Sequence, residues 1–184
     1  MAVGLGADVT VLDRRYERLE QLYYIFKNQI RTVHSSQGTL AREIKDASLV
    51  IGAVLLPGAA APKIITKEMI STMKKGGVFV DISIDQGGCA ETSCLTSLKD
   101  PVKDIDGVLH YGVPNMPAQT PRTSTMALTA ATLPYVVDIA QGGIEALKSN
   151  HLLRGAINTI DGKLTNEAVS VATGMQYTNI AECL

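Results

Sequence analysis

The chain has 184 residues, of which 46% are apolar and 19% charged, with a formal net charge of −1. That is enough apolar surface for a core and roughly one to one and a half domains. The composition excludes a disordered chain and the basic footprint of a nucleic-acid binder, and with 4% aromatic residues and no Trp the core is expected to be aliphatic.

Residues 1–7 read as the end of a helix, released by Gly4 and Gly6 into a short strand at 8–12 that ends beside Asp13. Residues 16–28 carry Leu19, Leu22, Tyr23 and Phe26 at helical spacing. A short strand at 30–33 and a helix at 38–46 follow. The run 48–56, bounded by Asp46 and Pro57, is nearly all apolar, as in a parallel strand buried on both faces. Thr66 is placed to cap a helix at 66–73 that stops at Gly76 and Gly77. Strands are expected at 78–84 and 107–113. Beyond Pro121 the pattern becomes helical: 124–141 with Thr123 or Ser124 as cap and a break at Pro134, then 142–150. A hairpin turn at Asp161-Gly162 and a helix at 165–173 capped by Thr165 complete the chain.

Strands alternating with helices indicate an α/β, doubly wound parallel sheet, which binds ligands outside the carboxyl ends of its strands. Asp13 stands where the second strand of a dinucleotide fold carries the acid that accepts hydrogen bonds from the adenosine ribose. An aspartate there also serves as a simple turn cap, and Arg14 and Arg15 beside it could accommodate a 2′-phosphate. The glycine fingerprint should lie about twenty residues before that acid, but only twelve residues precede Asp13, and Gly4 and Gly6 match a helix stop. Residues 80–88 (VDISIDQGG) place two aspartates in an apolar run, where burial is costly. Asp85 is expected at the strand's end with a functional role, and Asp81 in a structural one. Asn115 and Met116 sit between two prolines in a rigid loop suited to contact a nicotinamide. His110 reads as a packed or surface residue rather than a catalytic acid or base. Cys89, Cys94 and Cys183 are an odd set without zinc-like spacing, read as ordinary core or surface residues of a protein in a reducing compartment. No secretory leader and no apolar run near ~20 residues is visible, so a soluble, cytoplasmic protein is expected.

Four segments together resemble the alanine dehydrogenase family, which shares its fold with the proton-translocating transhydrogenase alpha subunit. They are 6–14 (GADVTVLDR), 47–62 (ASLVIGAVLLPGAAAP), 80–88 and 110–134 (HYGVPNMPAQTPRTSTMALTAATLP), in family order and spacing. The resemblance implies a Rossmann-like sheet over residues 1–122 lacking its first strand and Gly-rich loop. It implies that 123–184 is a long helix and C-terminal tail belonging to the substrate domain. It implies NAD as cofactor, held by Asp13, Arg18, Ser35, Val54, Ile82, Asp85, Asn115 and Met116, with Asp85 also orienting substrate or water. No metal is implied. Family members interconvert L-alanine with pyruvate and ammonia, usually as hexamers. The arginine, lysine and histidine that handle substrate in the family belong to the N-terminal substrate domain, outside this sequence.

Three expectations follow. Asp13 and Asp85 should stand at the carboxyl rims of neighbouring parallel strands, facing one dinucleotide groove. The absent strand should leave open sheet edges, and the tail an uncovered apolar face. The isolated chain should oxidise no alanine and bind NAD weakly, its partner being a missing N-terminal half or further copies of itself. Competing readings are a transhydrogenase alpha-subunit fragment, a non-catalytic product of a split gene and a Rossmann-like methyltransferase. The short 115–121 loop and the 121–125 segment (PRTST) favour alanine dehydrogenase over the transhydrogenase.

Overall fold

The computed structural model describes every residue except Pro57, so the strand boundary expected there lies outside the described residues. The chain divides into two compact units. One comprises Met1–Leu55 with Ala61–Pro114, the other Leu56–Ala60 with Asn115–Leu184.

In the first unit, residues Val3–Leu5 form a single 3-10 turn rather than the end of an α-helix, closed by Gly6 at φ +84°. Strand β1 (Val9–Asp13) follows, then α1 (Tyr16–Phe26), β2 (Ile30–His34) and α2 (Gln37–Asp46). A reciprocal capping box between Ser36 and Thr39 starts α2. Then come β3 (Leu49–Gly52), α3 (Lys67–Ser71) capped by Thr66, and β4 (Val78–Asp81). Strands β5 (Val102–Ile105) and β6 (Val108–Tyr111) close the unit.

The strands of this unit form two separate sheets. Strand β1 pairs in parallel with β2, and a second sheet runs β3-β4-β6-β5. Within the second sheet β3, β4 and β6 are parallel, while β5 returns antiparallel to β6. The turn joining β5 and β6 is Asp106-Gly107, both at positive φ, the geometry of a two-residue hairpin. This strand was not among those expected from sequence. Among the described residues β1 pairs only with β2 and β3 only with β4, so each has one open edge.

One face of the larger sheet carries the core. Phe79, Val108 and Cys89 pack with Leu40 and Ile44 of α2 and Met69 and Ile70 of α3. Gly52 is required here, because a Cβ would lie 2.3 Å from Cys89 Sγ. The opposite face is uncovered at β3: Leu49 and Ile51 are 53% and 54% exposed. The expectation of a strand buried on both faces over 48–56 is therefore corrected to a four-residue strand with one open face. Its apolar sequence reads as doubly buried, but no described element covers that side.

The second unit is dominated by α4 (Pro121–Ser149). It starts at Pro121, whose fixed φ and missing N–H suit a first helical position. The expected side-chain cap by Thr123 or Ser124 is not formed; Ser124 Oγ donates to the Pro117 carbonyl at 2.7 Å instead. The expected break at Pro134 is also absent. The helix runs through Pro134 and leaves helical geometry at Gly143 (φ 53°, ψ −135°). Around Pro134 the helix is exposed, so water can serve the carbonyl left without a partner, while Gly143 adopts positive φ without a Cβ penalty. Met126, Leu133 and Val136 share one side of α4 and Leu128 lies on another, and all four are exposed. A helix apolar all round is one that normally sits inside a protein. Helix α5 (His151–Gly155), the hairpin β7 (Thr159–Ile160) and β8 (Lys163–Leu164), and α6 (Glu167–Thr173) follow. Asp161 and Gly162 form the hairpin turn as expected, both at positive φ. The cap of α6 is Asn166 rather than Thr165, whose hydroxyl donates to the Ile157 carbonyl.

Candidate functional site

Asp13 is the last residue of β1, and Ser35 is the first residue past its partner β2. The two are joined directly, because the Ser35 N–H donates to the Asp13 carbonyl at 2.9 Å. Asp13 Oδ1 accepts the Arg15 N–H at 2.8 Å, which turns the chain into α1 and fixes the carboxylate at the strand's end. Tyr16 stacks on His34 with ring centroids 4.5 Å apart. Arg18 lies exposed on α1 with its guanidinium bonded to Gln21 Oε1.

Two residues past the end of β3 comes Val54, half-buried. At the end of β4 the structure differs from the sequence reading. The strand stops at Asp81, and Ile82–Gln86 form a 3-10 turn. The Asp81 carboxylate accepts the Ser83 N–H at 3.0 Å, which bends the chain out of the strand at that point. Asp85 therefore lies on a turn, not on a strand. Nor do Asp13 and Asp85 stand on neighbouring strands, since β1 and β4 belong to separate sheets. Ile82 is half exposed and Asp85 exposed. The turn is held from outside by the Ala61 N–H on the Gln86 carbonyl and by Lys63 Nζ on the Gly87 carbonyl.

The first unit thus brings Asp13, Ser35, Val54, Ile82 and Asp85 to the carboxyl ends of β1, β2, β3 and β4. Asn115 and Met116 lie in the second unit. There Asn115 adopts a left-handed conformation (φ 49°, ψ 53°) and opens the 3-10 turn Met116–Gln119.

Sequence reasoning read Asp81 as structural but missed the donors gathered on it beneath the β4 turn. Asp81 is 2% exposed, and its carboxylate accepts from the Ser83 and Cys89 backbone N–H groups and from the Ser93 hydroxyl. The only signal in sequence is an aspartate in an apolar run, which implies that donors exist but not where they are. His110 is buried and fully engaged. Its Nδ1 lies 2.9 Å from the Val108 carbonyl, which can only accept, so Nδ1 carries the proton and Nε2 accepts from Thr92 Oγ1 at 2.8 Å. It packs edge-on to Phe79 and is a core residue, the packed one of the two placements left open by sequence.

Burial, followed by the nearby Asp81 charge and the hydrogen bond to it, pushes the Cys89 thiol from 9.0 up to about 12. At pH 8 a thiol reagent should therefore label Cys94 and Cys183 in the folded protein and reach Cys89 only after unfolding. Above pH 9 the unfolded chain loses this proton while the folded thiol keeps it. Stability from this group should fall as pH rises from about 9 to about 12 and then level off. Urea titrations at pH 8 and pH 10 check the sign; a Cys89→Ser variant should show a smaller pH dependence in this range.

The family model for the alanine dehydrogenase/PNT C-terminal domain matches residues 1–167. The chain belongs to that family. It is 49% identical to an alanine dehydrogenase of Halomonas elongata, over 100% of this chain and 50% of the relative. It is likewise 49% identical to that of Bacillus subtilis, over 96% of this chain and 47% of the relative. A solved L-alanine dehydrogenase superposes with a TM-score of 0.84 at 41% identity, over 95% of this chain and 48% of that one. A transhydrogenase from Sinorhizobium meliloti superposes with a TM-score of 0.71 at 24% identity and speaks to the fold alone. The chain spans about half the length of the curated alanine dehydrogenases it matches. The Rossmann-like α/β fold expected from sequence is the fold of this family. Among the described residues no helix is long and apolar enough to cross a membrane.

Proposed function

We propose that this chain is the dinucleotide-binding part of an NAD-dependent alanine dehydrogenase, which passes a hydride between L-alanine and NAD and releases pyruvate and ammonia. The observation that carries the reading is the collection of Asp13, Ser35, Val54, Ile82 and Asp85 at the carboxyl ends of parallel strands, the ligand-binding rim of such sheets. On this reading residues 1–122 belong to the cofactor domain and 123–184 to the substrate domain.

The residues present fit part of the cofactor. The Asp13 carboxylate has one oxygen committed to the backbone of Arg15, and it can accept ribose hydroxyls on the other. Its negative charge disfavours a 2′-phosphate, which selects NAD. Ser35 belongs to the adenine side, and Arg18 lies in the first turn of α1, the helix that follows Asp13. Val54 and Ile82 supply apolar walls, and Asp85 orients substrate or water beside the ring. The family resemblance assigns Asn115 and Met116 to the nicotinamide as well. The described residues contain no Gly-rich strand-to-helix turn, so nothing here holds the pyrophosphate on a helix N-terminus. NAD supplies hydride acceptance, and this chain binds, orients and walls off the ring. The groups that bind the substrate carboxylate and move its proton belong, by the family resemblance, to the half of the relatives that this chain does not cover.

The isolated chain should show no alanine-dependent NADH absorbance and only weak NAD binding. Fused to the N-terminal half of the Bacillus subtilis relative, it should produce NADH from L-alanine and NAD. Asp13→Ala in the fusion should raise the dissociation constant for NAD by about tenfold to a hundredfold, the loss of hydrogen bonds to a charged group. A folded fusion that makes no NADH from alanine overturns the dehydrogenase reading; turnover by the isolated chain overturns the dependence on a second half. Hexamers of the fusion by sedimentation would match the assembly usual in the family.

A further inference from the structure

The loops after β3 and β4 are tied together by one hydroxyl. The β3–β4 ladder ends at the pair Gly52 and Asp81, so the Val54 N–H lies beyond the last ladder position. It donates instead to Ser83 Oγ at 2.8 Å. Ser83 is itself 5% exposed and held in place, because its N–H donates to Asp81 Oδ1. The other Asp81 oxygen accepts the Cys89 N–H at 3.0 Å and the Ser93 hydroxyl. Cys89 Sγ lies 3.6 Å from Oδ1. All of these partners are donors. Only a carboxylate, which has no donor of its own, can receive them all; an asparagine would turn an NH₂ toward one of them.

We propose that Ser83 is a positioning residue. Anchored by Asp81, it locks Val54 against the 3-10 turn, so that Val54, Ile82 and Asp85 form one preorganised wall of the cofactor crevice. The crevice rests on the function proposed above; the lock itself does not. Val54 and Ile82 come from different loops, and without the lock each would have to be ordered as the cofactor binds. Loss of the hydroxyl should therefore weaken cofactor binding without touching the cofactor.

The test uses the full chain with Ser83→Ala and, for comparison, Ser93→Ala. Amide hydrogen exchange is read by NMR, together with NAD-induced shifts titrated to high concentration. Ser83→Ala should speed exchange at Val54 by about tenfold or more, the cost of a part-buried N–H losing its acceptor. Exchange at Phe79 and Val108 should be unchanged. Apparent NAD affinity should fall about three- to tenfold. Ser93→Ala removes one donor from Asp81 and the acceptor of the Ala90 N–H but leaves the Val54 bond, so Val54 exchange should stay within about twofold of the parent. Unchanged Val54 exchange in Ser83→Ala, uniform acceleration across the core, or equal acceleration in Ser93→Ala would each overturn the lock. If the parent chain gives no NAD-induced shifts, the cofactor reading fails while the exchange data still decide the lock.

Discussion

Phe79→Ala should cost the first unit about 3–5 kcal/mol, the usual range for truncating a large buried aromatic side chain. Phe79 is 1% exposed and sits at the centre of the larger sheet, between Val50 of β3 and His110 of β6 in register. Its ring meets His110 edge-on with centroids 5.3 Å apart, so the truncation removes an aromatic pair as well as buried area. It also sits beside Gly52, which admits the ring and the Cys89 thiol by having no side chain. The cavity would open where helices α2 and α3 meet the sheet. Most domains have only about 5–15 kcal/mol of stability in total, and this one has open edges on β1 and β3. Urea unfolding followed by circular dichroism should therefore show a greatly lowered midpoint. A midpoint within a tenth of the parent's would show that this cluster does not carry the unit's stability.

The second large effect is expected at Gly88. Its φ is +80°, and an added Cβ would lie 2.3 Å from Ser93 Cβ and 2.6 Å from Asp81 Oδ2. Gly88→Ala thus meets two costs, about 1–2 kcal/mol for a side chain in left-handed geometry and about 1–3 kcal/mol for overpacking. The displaced atoms are those that fix Asp81, so the damage should spread to the Cys89 and Ser83 N–H groups. Gly87 separates the two costs. Its φ is +90°, yet an added Cβ would find nothing within 4 Å, so Gly87→Ala should show only the backbone cost. Thermal unfolding with thiol labelling at pH 8 measures both. Gly88→Ala should lower the midpoint more and expose Cys89 to the reagent. Equal effects at the two glycines would mean that the packing around Asp81 yields without strain.

Much of the local structure was legible in the residues. The helical spacing of Leu19, Leu22 and Phe26, the Thr66 cap and the Asp161-Gly162 turn all form as read. Strand β5 was missed although Asp106-Gly107 carried the hairpin signal, because the strand before it reads as polar loop: Lys103 and Asp104 are exposed on an edge. The end of β4 was misplaced because Ile82 and Ile84 continue an apolar pattern. What stops the strand is the Asp81 carboxylate, whose partners Cys89 and Ser93 come from farther along the chain.

The sequence by itself determined the family and the alternation of helices and strands. The alternation follows from side-chain type and spacing, which are local properties, while Ser35, Val54 and Ile82 were singled out by the family resemblance. Only the tertiary structure decided that the strands of the first unit split into two sheets with open edges on β1 and β3. The same holds for the turn that carries Asp85 and for Ser83 as the acceptor of the Val54 N–H. Those outcomes depend on which backbone groups find partners across long stretches of chain, and hydrogen-bond pairing at a distance leaves no periodic trace in the residues that make it.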